Sequence, residues 1–173
     1  MGLTWRWWGP DRGPDLWPTY AAVFDEAAVF GDAHRDEWLE SVWSRHSDRE
    51  GFRCRVAVNA DGTVLGLGYG YTGQPGQWCS DQATGALEPD VADEWVGGHF
   101  ELVELGVLPA GRGRGLGTRL HDDLLDGLPH ERALLSTSDN DTDPGRRLYA
   151  KRGWQELGAL PWGAVILGLR LDV

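Results

Sequence analysis

Glu101-Leu102-Val103-Glu104-Leu105-Gly106-Val107-Leu108-Pro109-Ala110-Gly111-Arg112-Gly113-Arg114-Gly115-Leu116-Gly117-Thr118 is the stretch that decides the fold. A largely apolar run with strand character enters a turn dense in glycine and arginine. The turn opens a helix whose Leu116, Leu120 and Leu124 fall on one stripe. Glycines let successive backbone N–H groups converge on one point, and a helix N-terminus adds partial positive charge. Arg112, Arg114 and Arg119 add full positive charges with no carboxylate among them. Such a turn suits a pyrophosphate. The common phosphate-loop spacings are absent: Gly-x4-Gly-Lys fails in every register, and in Gly-x-Gly-x-x-Gly the third glycine falls on Thr118 or Leu120.

Working outward, the elements alternate between helical and strand periods. Thr4 to Trp8 is a short opening stretch, after which Pro10, Gly13 and Pro14 break the chain. Helical spacing runs from Leu16 to Phe30 (Trp17, Tyr20, Ala21, Phe24, Ala27, Ala28) and from His34 to His46, where Trp38, Leu39, Val42 and Trp43 point to the core. Phe52 to Val58 alternates as a strand, Asp61-Gly62 marks a hairpin, and Val64 to Tyr71 returns. Residues 73–98 exceed a tight turn, and Pro89 with Val91, Ala92, Trp95 and Val96 predicts one inserted helix ending at Gly97-Gly98. Strands follow at His99 to Leu108 and Ala133 to Thr137, with the helix Leu116 to Asp126 between them. Asp143 and Pro144 then open a short helix that Gly153 ends, before strands at Trp154 to Leu157 and Ala164 to Leu171. The pattern is α/β, a mixed sheet with helices on both faces in one domain spanning 1–173.

At 173 residues, 41% hydrophobic and 25% charged, the chain can bury a core. No run approaches the roughly 18 apolar residues of a membrane helix, and Met1 to Pro10 lacks the apolar run of a signal peptide. Cys54 and Cys79 have no paired spacing, which fits a reducing cytoplasm, and the five histidines form no metal-ligand pair. The formal charge of −11 lies before Gly111, where 18 acidic residues face 7 basic ones; from Gly111 onward the counts are 9 and 9. An acidic chain disfavours nucleic acid as a partner. The acid excess reads either as solubility or as attraction of something cationic by the first two-thirds.

Arg112-x-x-Gly115-x-Gly117, preceded by Val107-x-Pro109, resembles the acyl-CoA pyrophosphate motif of the GCN5-related N-acetyltransferases, the GNAT superfamily. The family's second signature, Leu-Tyr-x-x-x-Gly-Phe, stands here as Leu148-Tyr149-Ala150-Lys151-Arg152-Gly153-Trp154. The close resemblance covers about residues 99–157. It implies a mostly antiparallel central sheet of six to seven strands, splayed in a V between the fourth and fifth. It also implies acetyl-CoA as co-substrate, with no metal. The implied cofactor contacts are Leu105, Gly106 and Val107, where a strand bulge frees amides, and Arg112, Gly113, Arg114, Gly115, Leu116, Gly117 and Thr118 at the turn. A glycine inside an apolar strand marks either a bulge or a close packing contact, and Gly106 is such a glycine.

Tyr149 matches the family's acid for the departing thiolate, a role that suits a phenol. Seven residues before that tyrosine the family often has Asn; here Thr142 stands there, and Asn140 is two positions earlier. Ungapped alignment of the phosphate motif puts the histone acetyltransferases' catalytic glutamate at Glu101. Strand alternation sends Glu101 and Glu104 to opposite faces unless a bulge intervenes, so one of the two, or an ordered water, serves as base. Trp38 and Trp43 read as core, while Trp78 and Trp95, in the acidic segment 73–98, are candidates for an acceptor pocket. The expected activity is direct acetyl transfer to a small-molecule or peptide amine, cationic by the charge argument. No Gly-x-Ser-x-Gly supports an acyl-enzyme. The competing reading is a non-catalytic acyl-CoA-binding sensor or assembly module. Family members are often homodimers, which is an analogy with no residue behind it.

Overall fold

The strands fall close to where the sequence predicts them: β1 (Thr4–Trp8), β2 (Arg53–Val58), β3 (Val64–Gly73), β4 (His99–Val107), β5 (Arg132–Ser138), β6 (Gln155–Leu160) and β7 (Ala164–Arg170). The computed structural model describes residues 2–24 and 34–172. The strands hydrogen-bond in the order β1-β2-β3-β4-β5-β7-β6. The ladders β1–β2, β2–β3, β5–β7 and β6–β7 are antiparallel, and β4–β5 is parallel. The parallel ladder registers Phe100 with Ala133 and Glu101 with Leu134, although both strands run several residues further. This is the mixed, mostly antiparallel sheet that the resemblance implies.

The helices are α1 (Gly13–Val23), α2 (Ser44–Ser47), α3 (Trp78–Ala86), α4 (Pro89–Trp95), α5 (Leu116–Leu125) and α6 (Pro144–Lys151). Gly13 and Pro14 begin α1 instead of breaking the chain before it. Proline is tolerated in a first turn because its missing N–H has no partner there in any case. The predicted helix Leu16 to Phe30 is seen as α1, and its later residues, including Ala27 and Ala28, lie outside the described residues. Residues 34–38 are helical, and a π-helical turn, Leu39–Trp43, leads into α2. The segment 73–98 holds two helices where the sequence predicts one. Helix α3 escapes the periodicity test because the residues it buries are the small Ser80 and Ala83. Among the described residues no helix is long and apolar enough to cross a membrane.

Contacts divide the chain into two compact units, Met1–Tyr71 with Glu104–Asp126, and Thr72–Val103 with Gly127–Val173. The first unit is built on rings: Trp38 lies between Trp17, Tyr20 and Trp43, at centroid distances of 5.4, 4.6 and 5.5 Å. Trp38 and Trp43 are core, as predicted. In a separate cluster Leu116 packs with Ala57 and Leu65, and so anchors the start of α5. Fully burying a leucine such as Leu120 or Leu124 stabilises by about 1.5–3 kcal/mol. The second unit packs Leu87, Trp95, Leu134, Leu160 and Ile166 into one cluster.

The acid excess that is segregated along the sequence is not segregated in the fold. The first unit carries 15 acidic and 10 basic residues and the second 12 and 6, because the chain passes between the units three times. Gly106 is explained by close approach: a Cβ there would lie 2.2 Å from Val23 Cγ1 and 3.2 Å from the Phe24 ring. Gly106→Ala should therefore cost about 1–3 kcal/mol in urea denaturation through overpacking. Gly85→Ala, on the open side of α3 with nothing within 4 Å, should gain about 0.5–1 kcal/mol. A Gly106→Ala protein as stable as the parent would show that α1 yields instead of pressing on β4.

Candidate active site

In the first unit, a 3-10 turn, Pro109–Gly111, carries the chain out of β4 and into the glycine-arginine segment. Gly113 and Gly115 take left-handed φ values of 71° and 75°, which glycine adopts at no steric cost. Gly115 is the N-cap of α5, and no side chain caps its first amides. No atom lies within 4 Å of the Cβ position at either glycine. The first turn of α5 therefore offers its N–H groups to an approaching anion, and the Leu116 side chain beneath is locked in the core. Gly117 and Thr118 are half-buried in that turn. Arg112 and Arg114 are exposed beside it, and Arg112 Nε donates to the Val107 carbonyl at 3.2 Å. These features fit a pyrophosphate.

Arg119 departs from the sequence reading. Its guanidinium lies 4.5 Å over the Trp5 ring and 3.8 Å from Asp123 one turn on, so its charge is shared and turned toward β1. Leu105, Gly106 and Val107 are half-buried at the end of β4. The strand's exit is pinned where the Leu108 N–H donates to Leu65 at 2.8 Å. Glu104 accepts from the Tyr20 hydroxyl at 3.3 Å, so it faces α1.

In the second unit, Asp143 caps α6 as predicted, accepting from the N–H groups of Gly145 at 2.7 Å and Arg146 at 3.4 Å. The cap fixes the helix that carries Tyr149. That ring is buried edge-on against Trp154, with centroids 5.8 Å apart, so the family's Phe position is filled here by a larger aromatic wall. Asn140 and Thr142 are exposed and engaged with each other: Asn140 Oδ1 accepts from the Thr142 N–H at 3.0 Å and from its hydroxyl at 2.8 Å. Together they shape the loop before α6.

Glu101 is 5% exposed and lines a narrow cleft with Trp78, Cys79, Gln82, Leu135 and Ser136. Its Oε2 lies 2.8 Å from Nε2 of His99, which is fully buried. Trp78 (63% exposed) and Trp162 (54%) form a pair of rings 5.9 Å apart beside this cleft. Trp95, the other pocket candidate, is core, packed with Leu134 and Ile166 under the Arg170 guanidinium. Sequence reasoning missed His99 and Trp162. His99 had a signal, the His-x-Glu spacing that puts two side chains on one face of a strand; Trp162 had none. Burial pushes the Cys54 thiol up to about 12, which removes it as a nucleophile.

A strand, an open glycine turn, an uncapped helix start and, two elements on, a tyrosine helix follow one another in the order that the resemblance implies. The model of the Acetyltransferase (GNAT) family matches residues 15–154, and the chain belongs to that family. It is 33% identical to the GCN5-like protein acetyltransferase Rv2170 of Mycobacterium tuberculosis, over 77% of this chain and 81% of that protein. Among solved structures, a GNAT-family acetyltransferase from Streptococcus agalactiae superposes with a TM-score of 0.68, covering 100% of this chain and 98% of that one at 14% identity. The PaiA N-acetyltransferase of Thermoplasma acidophilum, solved in complex with coenzyme A, gives 0.63 over 98% and 99% at 12% identity. These two likenesses bear on the fold.

Proposed function

We propose that the protein transfers an acetyl group from acetyl-CoA directly to a primary amine. The observation that carries this reading is the open, uncapped start of α5 inside the family's own motif, where Gly113 and Gly115 leave the backbone bare and Arg112 and Arg114 stand beside it. The co-substrate supplies the acetyl group as a thioester. The amides of the α5 first turn hold its pyrophosphate, and the end of β4 at Leu105 to Val107 supplies backbone contacts to the pantetheine arm. Glu101 takes a proton from the incoming ammonium, since only the neutral amine attacks. Tyr149 returns a proton from its hydroxyl to the departing thiolate.

The acceptor in this reading is cationic. Trp78 and Trp162 offer ring faces to an ammonium, and Glu101 waits in the cleft they flank. The relative from Mycobacterium tuberculosis is a protein acetyltransferase by name, which adds a lysine side chain to the polyamines, aminoglycosides and amino acids worth assaying. Retention of both Glu101 and Tyr149 favours an enzyme over a silent acyl-CoA sensor.

Four outcomes test this. Gly115→Asp should weaken acetyl-CoA binding in calorimetry while sparing a pantetheine fragment that lacks the nucleotide, because the new carboxylate repels the pyrophosphate; equal affinity for acetyl-CoA in a folded variant rejects the turn. Tyr149→Phe keeps the ring and loses the hydroxyl, so thiol release should fall about 10²- to 10⁴-fold with acetyl-CoA affinity intact. For the acceptor, the KM for a cationic amine should rise between 0.1 and 1 M salt, as the screening length shrinks from ~10 to ~3 Å. Trp78→Leu should raise the same constant with kcat retained. A neutral or anionic best acceptor would reject the cationic reading.

A further inference from the structure

We infer that His99 is the positioning residue for Glu101: a neutral, fully buried imidazole that donates its Nε2–H to the carboxylate and holds it in the cleft. The inference rests on Glu101 being the base.

The protonation of the ring follows from its partners. The Gly97 backbone N–H donates to His99 Nδ1 at 3.0 Å. A backbone N–H can only donate, so Nδ1 carries no proton, and a neutral ring must carry it on Nε2. Nε2 lies 2.8 Å from Glu101 Oε2, where that proton completes a hydrogen bond to a carboxylate. The contact is therefore a neutral donor on an anion.

The surroundings leave the ring no alternative. His99 is 0% exposed, and a Cβ on Gly73 would sit 2.2 Å from its Nε2, so the adjacent strand closes directly onto the imidazole. The turn that aims the Gly97 N–H is itself held: Arg132 donates from Nε to the Trp95 carbonyl at 3.1 Å and from Nη2 to the Gly97 carbonyl at 2.8 Å. Arg132 fixes the turn, the turn fixes the ring, and the ring fixes the carboxylate.

This arrangement suits a base better than it suits a structural ion pair. A guanidinium on Glu101 would hold the carboxylate and cancel the charge that attracts an ammonium. Arg132, on the neighbouring strand, is spent on those carbonyls and on its neighbour Glu131 instead. An imidazole with Nδ1 engaged orients Glu101 and leaves it anionic. The ring has no vacancy for a further proton, because Nε2 already carries one and Nδ1 faces an N–H. The proton lost by the amine therefore ends on the Glu101 carboxylate and does not pass to His99.

A double-mutant cycle tests this, read as thiol release from acetyl-CoA with the fastest amine among spermidine, kanamycin, lysine and a lysine peptide. Glu101→Gln alone should lower kcat about 10²- to 10⁴-fold. His99→Leu should lower it at least about tenfold with the acetyl-CoA KM unchanged, and His99→Gln, whose amide can still donate, should recover most of the loss. In the Glu101→Gln background His99→Leu should cost no more than about twofold, because the two act as one unit. Losses that multiply in the double variant, or His99→Gln as slow as His99→Leu, overturn the positioning role and leave the base standing. A Glu101→Gln enzyme at parental kcat overturns both. If His99→Leu does not fold, His99→Gln is read alone, and a kcat about tenfold or more below the parent overturns the positioning role. Nitrogen NMR of the parent then supplies a readout without turnover: a proton on Nε2 is expected, and a proton on Nδ1 overturns the inference.

Discussion

The parallel ladder between β4 and β5 stops after Glu101 pairs with Leu134, and most of what distinguishes this molecule depends on that stop. Backbone N–H and C=O groups demand partners, and a strand supplies them to its neighbour along its length. Strand β5 does so toward β7 at every position from Arg132 to Ser138. Toward β4 it is released after two residues, and the residues just past the release, Leu135 and Ser136, line the cleft that Glu101 enters. The interrupted ladder thus leaves a carboxylate beside a narrow cleft, and the last registered residue of β4 is the one with the acid.

The two glutamates of β4 show how a strand sorts chemistry. They differ by an odd number of positions, and they meet different partners: Glu101 the buried imidazole of His99, Glu104 the hydroxyl of Tyr20. A phenol hydroxyl bridges Glu104 to a packed helix, whereas His99 is walled in by a glycine and aimed by a backbone amide. One carboxylate supports the fold, and the other has a polar scaffold built around it.

What was legible in the sequence was whatever a few adjacent residues decide. Strand alternation, the Asp143-Pro144 helix start and the glycines of the α5 turn are local physics, and they fell where they were read. Helix α3 was illegible because its buried contacts are Ser80 and Ala83, whose small side chains leave no apolar stripe. Arg119 looked unpaired because its partners, Trp5 and Asp123, are a strand away and one helical turn on. Trp78 and Trp95 looked alike in one acidic segment, yet one is 63% exposed and the other 3%, a difference set by β7 and β5 residues far along the chain. The charge imbalance failed as a map for the same reason, since position in the chain is not position in the fold.

That interleaving also bears on how the protein is made. The first unit needs Glu104–Asp126 in addition to the N-terminal segment, and the second needs Gly127–Val173 in addition to Thr72–Val103. A ribosome that has released residues up to Val103 has therefore delivered most of one unit and the opening part of the other, with neither complete. Helix α5, which places Leu116, Leu120 and Leu124 in the core, is the piece that lets the earlier unit close. Until it emerges, the rings from Trp17 to Tyr69 already have one another as partners, whereas the glycine-lined face of β3 at Gly66 and Gly68 still waits for Leu120 and Leu124.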